Sequence, residues 1–299
     1  MSNGGIERLK FVTAVTLYGT VGLFLRYVNL PSELAALCRG AIGCAFILLF
    51  VYLRGGRPDG AAIRANLKWL LLSGVCLGLN WVFLFASYMK TTVAVASLCN
   101  YTAPILVILV APALLRERPD RRKIPCVAAA IAGLLLVSGF WNGDVGGTAG
   151  ILLGLAGALC FACLVICNRK LRDISALDRS IVQLGVSAAT ILPYVLIHNR
   201  GTAIHLDTRA ILILAMLGVV HTGFAYCLYF SGLGSLPVQT VAILGYLEPV
   251  VSVLCSTLFL HERLSPLGWV GAALILGAAV ASELIPAQED QKQNIDSTL

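Results

Sequence analysis

Long apolar runs alternate with short polar interruptions from near the first residues almost to the last. A helix needs about 20 predominantly apolar residues to cross a bilayer. Ten runs approach that length: 11–28, 33–53, 67–88, 92–115, 124–140, 148–168, 178–197, 209–231, 238–260 and 266–285. The turn formers and charges fall between them, as in RGGRPDG (54–60) and RERPDRRK (116–123). This pattern predicts an all-α integral membrane protein of ten transmembrane helices, without room for a second, soluble domain. The first run has the basic start of a signal peptide, Arg8 and Lys10, but no small-residue cleavage site follows it. It is expected to remain as the first helix.

Composition points the same way. Of 299 residues, 58% are hydrophobic and 12% charged, where a soluble domain carries about 25% charged residues. So few charges cannot cover a soluble globule. Disorder, a disulfide scaffold and nucleic-acid binding are excluded with it. The net charge of +7 gains its meaning from where the charges sit. With the N-terminus in the cytoplasm, 16 of the 22 Lys and Arg fall on the cytoplasmic side. The positive-inside rule therefore predicts an N-in, C-in topology, with Trp69, Trp141 and Trp269 near span ends as aromatic anchors. A plasma membrane location is expected, the bacterial inner membrane in particular.

The chain also compares with itself. YTAPILVILVAPALLRER (101–118) aligns without a gap with YLEPVVSVLCSTLFLHER (246–263), an offset of 145 residues. Leucine matches are cheap in apolar sequence, but Tyr101/Tyr246, Pro104/Pro249, Glu117/Glu262 and Arg118/Arg263 are not. Each block is the fourth span and the start of the fifth in a five-span half. Because five is odd, the second half enters from the opposite side, and the halves form an inverted repeat. This divides the chain into residues 10–140, 148–285 and a cytoplasmic tail, 286–299. Inverted repeats recur in secondary transporters, with substrate bound near the midplane between the halves. A duplicated structural membrane protein is the plainer reading of the same pattern.

These features resemble a known family. Two halves that each end in Pro, an apolar run, Glu-Arg and a final helix are similar to the drug/metabolite transporter superfamily, EamA type. LEPVVSVLCSTLFLHERL followed by GWVGAALILGAAV matches that family's usual ending, and LAALCRGAIGCAFILL its second helix, with Arg39 at the family's usual arginine. The resemblance covers residues 10–285. It implies transport of amino acids, drugs or other metabolites and leaves the substrate open.

Pro104 and Pro249 lie about midway along their runs. A proline there removes a backbone hydrogen bond and crowds the carbonyl four residues back, at Asn100 and Gly245. Broken backbone is tolerated at membrane depth where protein or a water-filled cavity satisfies it. A pair of hinges beside a substrate cavity is the functional reading, and simple packing kinks the rival. Around them gather Asn80, Trp81, Asn100, Tyr101, His221, Tyr226, Gln239, Tyr246 and Glu248, the candidate substrate-binding residues, together with Tyr88 and Tyr229. Ser97 and Tyr101 share one helical face, as do Gln239 and Tyr246, and so do His221, Ala225 and Tyr229. Helical spacing turns Tyr246 and Glu248 to nearly opposite sides, which leaves open which of them faces the cavity.

Glu248 is the only acidic residue deep within a run, where a carboxylate is costly and marks a functional candidate. It could carry a coupling proton, balance a cationic substrate, or cap backbone freed by the proline. Arg39 is read chiefly as a packing residue. His221 stands between a substrate or proton-relay role and a plain hydrogen bond. Gly74/Gly78 and Gly150/Gly154/Ala158/Ala162 form small-residue stripes for close helix packing. Glu117-Arg118 and Glu262-Arg263 are expected to tie span ends together. Cys160, Cys163 and Cys167 share a helical face but have no His or acidic neighbour, so no metal or cofactor is expected.

The leading expectation is a secondary-active exporter of small organic metabolites, not an enzyme, with an aromatic cavity poor in charge. Amino acids or similar amphipathic solutes suit such a cavity, and organic cations or drugs held by aromatic faces and Glu248 are the alternative. An intramembrane enzyme is remote, since Gly-x-Ser-x-Gly and His-Glu-x-x-His are both missing from the sequence. The expected partners are the lipid bilayer, a small-molecule substrate and a coupling proton, with no nucleic acid.

Overall fold

A computed structural model describes residues 3–28, 30–115, 121–137, 147–198, 207–233, 236 and 238–285. Its helices are α1 (Asn3–Arg26), α2 (Ser32–Leu53), the short α3 (Gly60–Ala65), α4 (Leu67–Lys90), α5 (Val93–Asn100), α6 (Ala103–Leu115) and α7 (Ile124–Val137). There follow α8 (Thr148–Asn168), α9 (Ala176–His198), α10 (Thr208–Gly218), a π-helical turn Val219–Phe224, α11 (Ala225–Leu233), α12 (Val238–Gly245), α13 (Leu247–Phe259) and α14 (Pro266–Leu284). Among the described residues, seven helical stretches are long and apolar enough to cross a membrane, and Ile124–Val137, Leu247–Phe259 and Pro266–Ser282 are shorter apolar helices. Leucines such as Leu152, Leu196, Leu212 and Leu258 stand out from their helices, each at least 60% exposed. In water such a surface would drive association; in a bilayer it is the solvated face.

Helices begin where the polar interruptions supply caps. The side chain of Thr92 accepts from the Val95 N–H, that of Asp207 from Ala210, and that of Ser265 from Gly268. Each satisfies one of the first-turn donors a helix leaves unpaired. At the two proline sites the structure refines the expected kink. The breaks precede the prolines, at Tyr101–Thr102 and at Tyr246, so Pro104 and Pro249 sit in the first turns of α6 and α13. No intrahelical bond is asked of a nitrogen there. The Thr102 hydroxyl donates to the Cys99 carbonyl at 2.6 Å, satisfying an acceptor at the end of α5.

Element bounds recur at the offset of 145 residues. Val93–Asn100 and Val238–Gly245 correspond residue for residue, and Ser32–Leu53 corresponds to Ala176–His198 within a residue at its start. The packing repeats as well. α8 lies on α4, α5 and α6, while α1 lies on α11, α12 and α13. Across the middle, α2 meets α9, α5 meets α13 and α7 meets α14.

The small-residue stripes lie in these contacts. A Cβ on Gly74 would stand 2.6 Å from Val186 of α9, and one on Gly150 would stand 2.7 Å from Thr91. Ser87 uses the second approach to donate to the Gly150 carbonyl at 2.6 Å.

Candidate functional site

A cavity of about 380 Å³ opens between α1, α2, α4, α8, α9 and α11, with the α5–α6 break and the first turn of α13 on its wall. One side is an aromatic ladder on α4. Trp81, Phe85 and Tyr88 follow at helical spacing, their rings nearly parallel and 6.5 and 6.1 Å apart. Facing them, Tyr18, Tyr226, Tyr229 and Phe230 form a second aromatic group with centroids 5.3–6.0 Å apart.

Two opposite charges share this apolar space. The Arg39 guanidinium lies 4.6 Å from the centroid of Trp81 and 5.9 Å from that of Phe85, a cation–π arrangement. Its Nε donates to the Thr222 hydroxyl at 2.8 Å. That partner depends on the π-helical turn. An i→i−5 register leaves carbonyls reachable by side chains, and Thr222 donates to the Leu217 carbonyl at 2.9 Å. Glu248, in the first turn of α13, lies on the cavity wall, where its carboxyl meets the Tyr101 hydroxyl. The Tyr18 hydroxyl is buried and has no hydrogen-bond partner among the described residues. An unpaired buried donor is costly, so a ligand with an acceptor fits there.

The cavity ends differently at its two extremes. Asn168, Arg179 and Ser180 line it at the end of α8 and the start of α9. At the other extreme Tyr88 is buried, with its hydroxyl 3.3 Å from Ser97. Beyond it Arg26 donates to Glu262 and to the Thr91 carbonyl, both at 2.7 Å. Glu262 also accepts from the Val93 N–H at 2.8 Å and from Ser256. The ends of α1, α5 and α13 are thus tied by one carboxylate; Glu262 makes the tie expected of the second Glu-Arg pair, with Arg26 as its partner. Glu117, Arg118, Trp141 and the tail 286–299 lie outside the described residues.

Of the nine candidate binding residues, Asn80, Trp81, Asn100, Tyr101, Tyr226 and Glu248 line the cavity. Asn80 donates to Asn100 at 2.8 Å and to the Gly157 carbonyl at 2.9 Å, which ties α4 to α5 and α8. Pro104 is also on the wall. Three others are placed elsewhere or not described. His221 is buried on the α1 side, 3.0 Å from the Thr20 hydroxyl and edge-on to Phe24. Tyr246 packs its ring 6.4 Å from that of Tyr101, leaving Glu248 as the member of that pair on the wall. For Gln239 the backbone is helical, but the side chain lies outside the described residues. Pro249 is buried in α13, away from the wall.

A family model for the EamA-like transporter family matches residues 7–139 and again 148–282. The chain belongs to the EamA-like transporter family. It is 27% identical over 286 residues to the "uncharacterized transporter YxxF" of Bacillus subtilis (strain 168), covering 94% of this chain and 90% of that one. A "probable amino-acid metabolite efflux pump" of Escherichia coli (strain K12) is 30% identical over 226 residues, 71% of this chain and 75% of the relative. One crystal structure shares the fold, with a TM-score of 0.65 at 21% identity over 93% of this chain and 97% of that one. This EamA-like chain is therefore a multi-pass membrane protein and a small-molecule transporter.

Sequence reasoning missed part of this transporter's cavity. Arg39, read as a packing residue, is on the wall, and so are Arg179 and Gln183. The expected cavity poor in charge is corrected on this point, because two guanidiniums line it besides Glu248. The signal for Arg39 was its depth in an apolar run. Arg179 lies close to a span end, where arginine is commonplace, and nothing in its neighbours sets it apart. Among the described residues no three His, Cys, Asp or Glu gather as metal ligands.

Proposed function

We propose that the chain is a secondary-active exporter of amino acids or similar zwitterionic solutes, working by alternating access through ten spans with both termini in the cytoplasm. One observation carries the substrate class: Arg39 and Glu248 present opposite charges on the wall of one largely aromatic cavity. A guanidinium complements a carboxylate, while a carboxylate and aromatic faces complement an ammonium group. Desolvated together without a ligand, each charge is poorly compensated, so a zwitterion improves the site at both ends. Organic cations suit it less, since Arg39 and Arg179 repel them. The printed name of the Escherichia coli relative supports the same class.

The double match to the family model and the bounds recurring at 145 residues support two inverted five-span halves, with Ile124–Val137 and Pro266–Leu284 as the fifth span of each. Pro104 and Pro249 act as paired hinges at the helix breaks. With the N-terminus inside, the cavity reaches the cytoplasmic side at Arg179, the side from which an exporter loads. Glu248 is the candidate carrier of a coupling proton, and the bacterial inner membrane is the setting.

The test is counterflow in proteoliposomes with a panel of radiolabelled amino acids, organic cations and sugar phosphates. Amino acid exchange should be saturable and should fall at least tenfold in Arg39→Gln. Exchange of organic cations alone, undiminished in that variant, would falsify the zwitterion reading.

A further inference from the structure

We propose that the corner between the α3–α4 junction and the α8–α9 connection is a binding site for the phosphate of an anionic lipid headgroup. A second cavity, of about 550 Å³, lies there with Asn66, Trp69, Arg169, Lys170, Arg172 and Asp173 on its wall. Three cations against one carboxylate give it a positive field. The corner is built by Asn66, which is 5% exposed. Its amide donates to the carbonyls of Ala62 at 2.9 Å and Arg172 at 2.8 Å, and its oxygen accepts from the Arg172 N–H at 3.0 Å. Both of these hydrogen bonds to Arg172 use its main-chain atoms. The connection is pinned by its backbone while the Arg169, Lys170 and Arg172 side chains remain exposed.

Position selects a lipid as the source of the phosphate. Asn168 ends α8 and Leu67 begins α4, so the cavity lies one turn beyond the apolar spans, at headgroup level. Trp69 supplies an interfacial indole. On the same helix Leu67, Leu71 and Leu72 are 44–46% exposed, an apolar flank along which acyl chains can run.

The repeat supplies an internal control. At the corner related by 145 residues, Phe24, Leu25 and Tyr27 replace Arg169, Lys170 and Arg172, and Ile211 and Leu214 replace Asn66 and Trp69. The fold is built there without the asparagine clamp or the three basic side chains; the cations nearby are Arg26, which is paired with Glu262, and Arg209, which lies 5.3 Å from the Tyr27 ring. Setting topology requires only positive charge near the spans. It requires neither a walled cavity nor a buried asparagine holding the loop in place. Basic pockets between helices at the membrane surface recognise anionic headgroups, with about fivefold in affinity from each Lys or Arg.

The test uses the full chain in detergent, titrated with short-chain phosphatidylglycerol, phosphatidylcholine or free glycerol 3-phosphate, and read by native mass spectrometry and thermal unfolding. Phosphatidylglycerol should bind and raise Tm, and phosphatidylcholine and glycerol 3-phosphate at equal concentration should not. Arg169→Gln, Lys170→Gln and Arg172→Gln should each weaken binding about fivefold, with Tm unchanged when lipid is left out. Arg54→Gln/Arg57→Gln, in another basic connection, should keep full binding. The site falls if the triple corner variant binds phosphatidylglycerol as wild type does, or if the Arg54/Arg57 variant loses as much. A glycerol 3-phosphate shift abolished by the corner substitutions overturns the lipid assignment in favour of a soluble phosphate ester.

Discussion

Arg39 of α2 and Thr222 of the π-helical turn are joined by a 2.8 Å hydrogen bond that crosses from one half of the chain to the other. Neither side chain is exposed, at 7% and 0% respectively. The bond holds the guanidinium over Trp81 and Phe85 instead of leaving it to seek the membrane surface.

Thr222→Val keeps the branched shape and removes the acceptor. A buried hydrogen bond to a charged group contributes about 1.5–3 kcal/mol. Thermal unfolding should show a loss of that order, and substrate binding should weaken with it. Thr222→Ser should stay near wild type in both. Equal behaviour of the Val and Ser variants would show that Arg39 is held by other means.

Gly19 is where α1 packs against the main chain of α13 at Glu248. A Cβ there would stand 2.5 Å from the Glu248 carbonyl oxygen and 2.7 Å from Val251. Gly19→Ala should therefore force α1 and α13 apart, at a cost of about 1–3 kcal/mol in stability, and lower transport by shifting Glu248. Gly277→Ala provides the control. Nothing lies within 4 Å of a Cβ at that position, so stability there should hold or rise slightly. Parallel thermal melts and counterflow of the two variants measure the difference.

The Arg26–Glu262 pair bears on which side opens. Glu262→Ala leaves the Val93 N–H and the Arg26 guanidinium without their carboxylate acceptor. Cysteines introduced around Thr91 should then react faster with a membrane-impermeant maleimide added from that side, and steady-state transport should change with it. Unaltered labelling would make the pair a structural tie only.

Glu248→Gln preserves size and keeps a partner for the Tyr101 hydroxyl while removing the charge. Under the proposed coupling, transport driven by an imposed pH gradient should fall to the rate seen without a gradient. Counterflow, which needs no net proton movement, should be affected less. Gradient-driven transport intact in this variant would assign the proton to another group.

Much of the helical layout was legible because apolar length is a local property. The run 148–168 coincides with α8, and 67–88 ends two residues short of α4. Tyr101, Asn100 and Glu248 were found because polar groups beside a helix break in an apolar run are few. The errors arise from relations between helices. A face shared by His221, Ala225 and Tyr229 assumes uniform α-helical phase, but the π-helical turn Val219–Phe224 adds a residue to one turn. His221 then faces Thr20 and Phe24, while Tyr226 and Tyr229 face the cavity. No local feature of VVHTGF announces that register. The place of Arg39 on the cavity wall was hidden for a similar reason. Its partner lies 183 residues away, and its distance from Glu33 along α2 said nothing of Thr222.

The recurrence at 145 residues has an energetic consequence. Under the proposed alternating access, two identical halves in inverted orientation would make the inward-open and outward-open forms equivalent by a two-fold rotation and equal in free energy. In this chain the π-helical turn, the Arg26–Glu262 tie and the basic corner at Asn66 break the symmetry of the halves, because the counterparts of Val219–Phe224, Arg26 and Asn66 are Gly74–Leu79, Leu171 and Ile211, which cannot reproduce them. The degeneracy is broken by a few identifiable bonds. The resting distribution between the two forms is therefore a property that single substitutions at these sites can move in either direction.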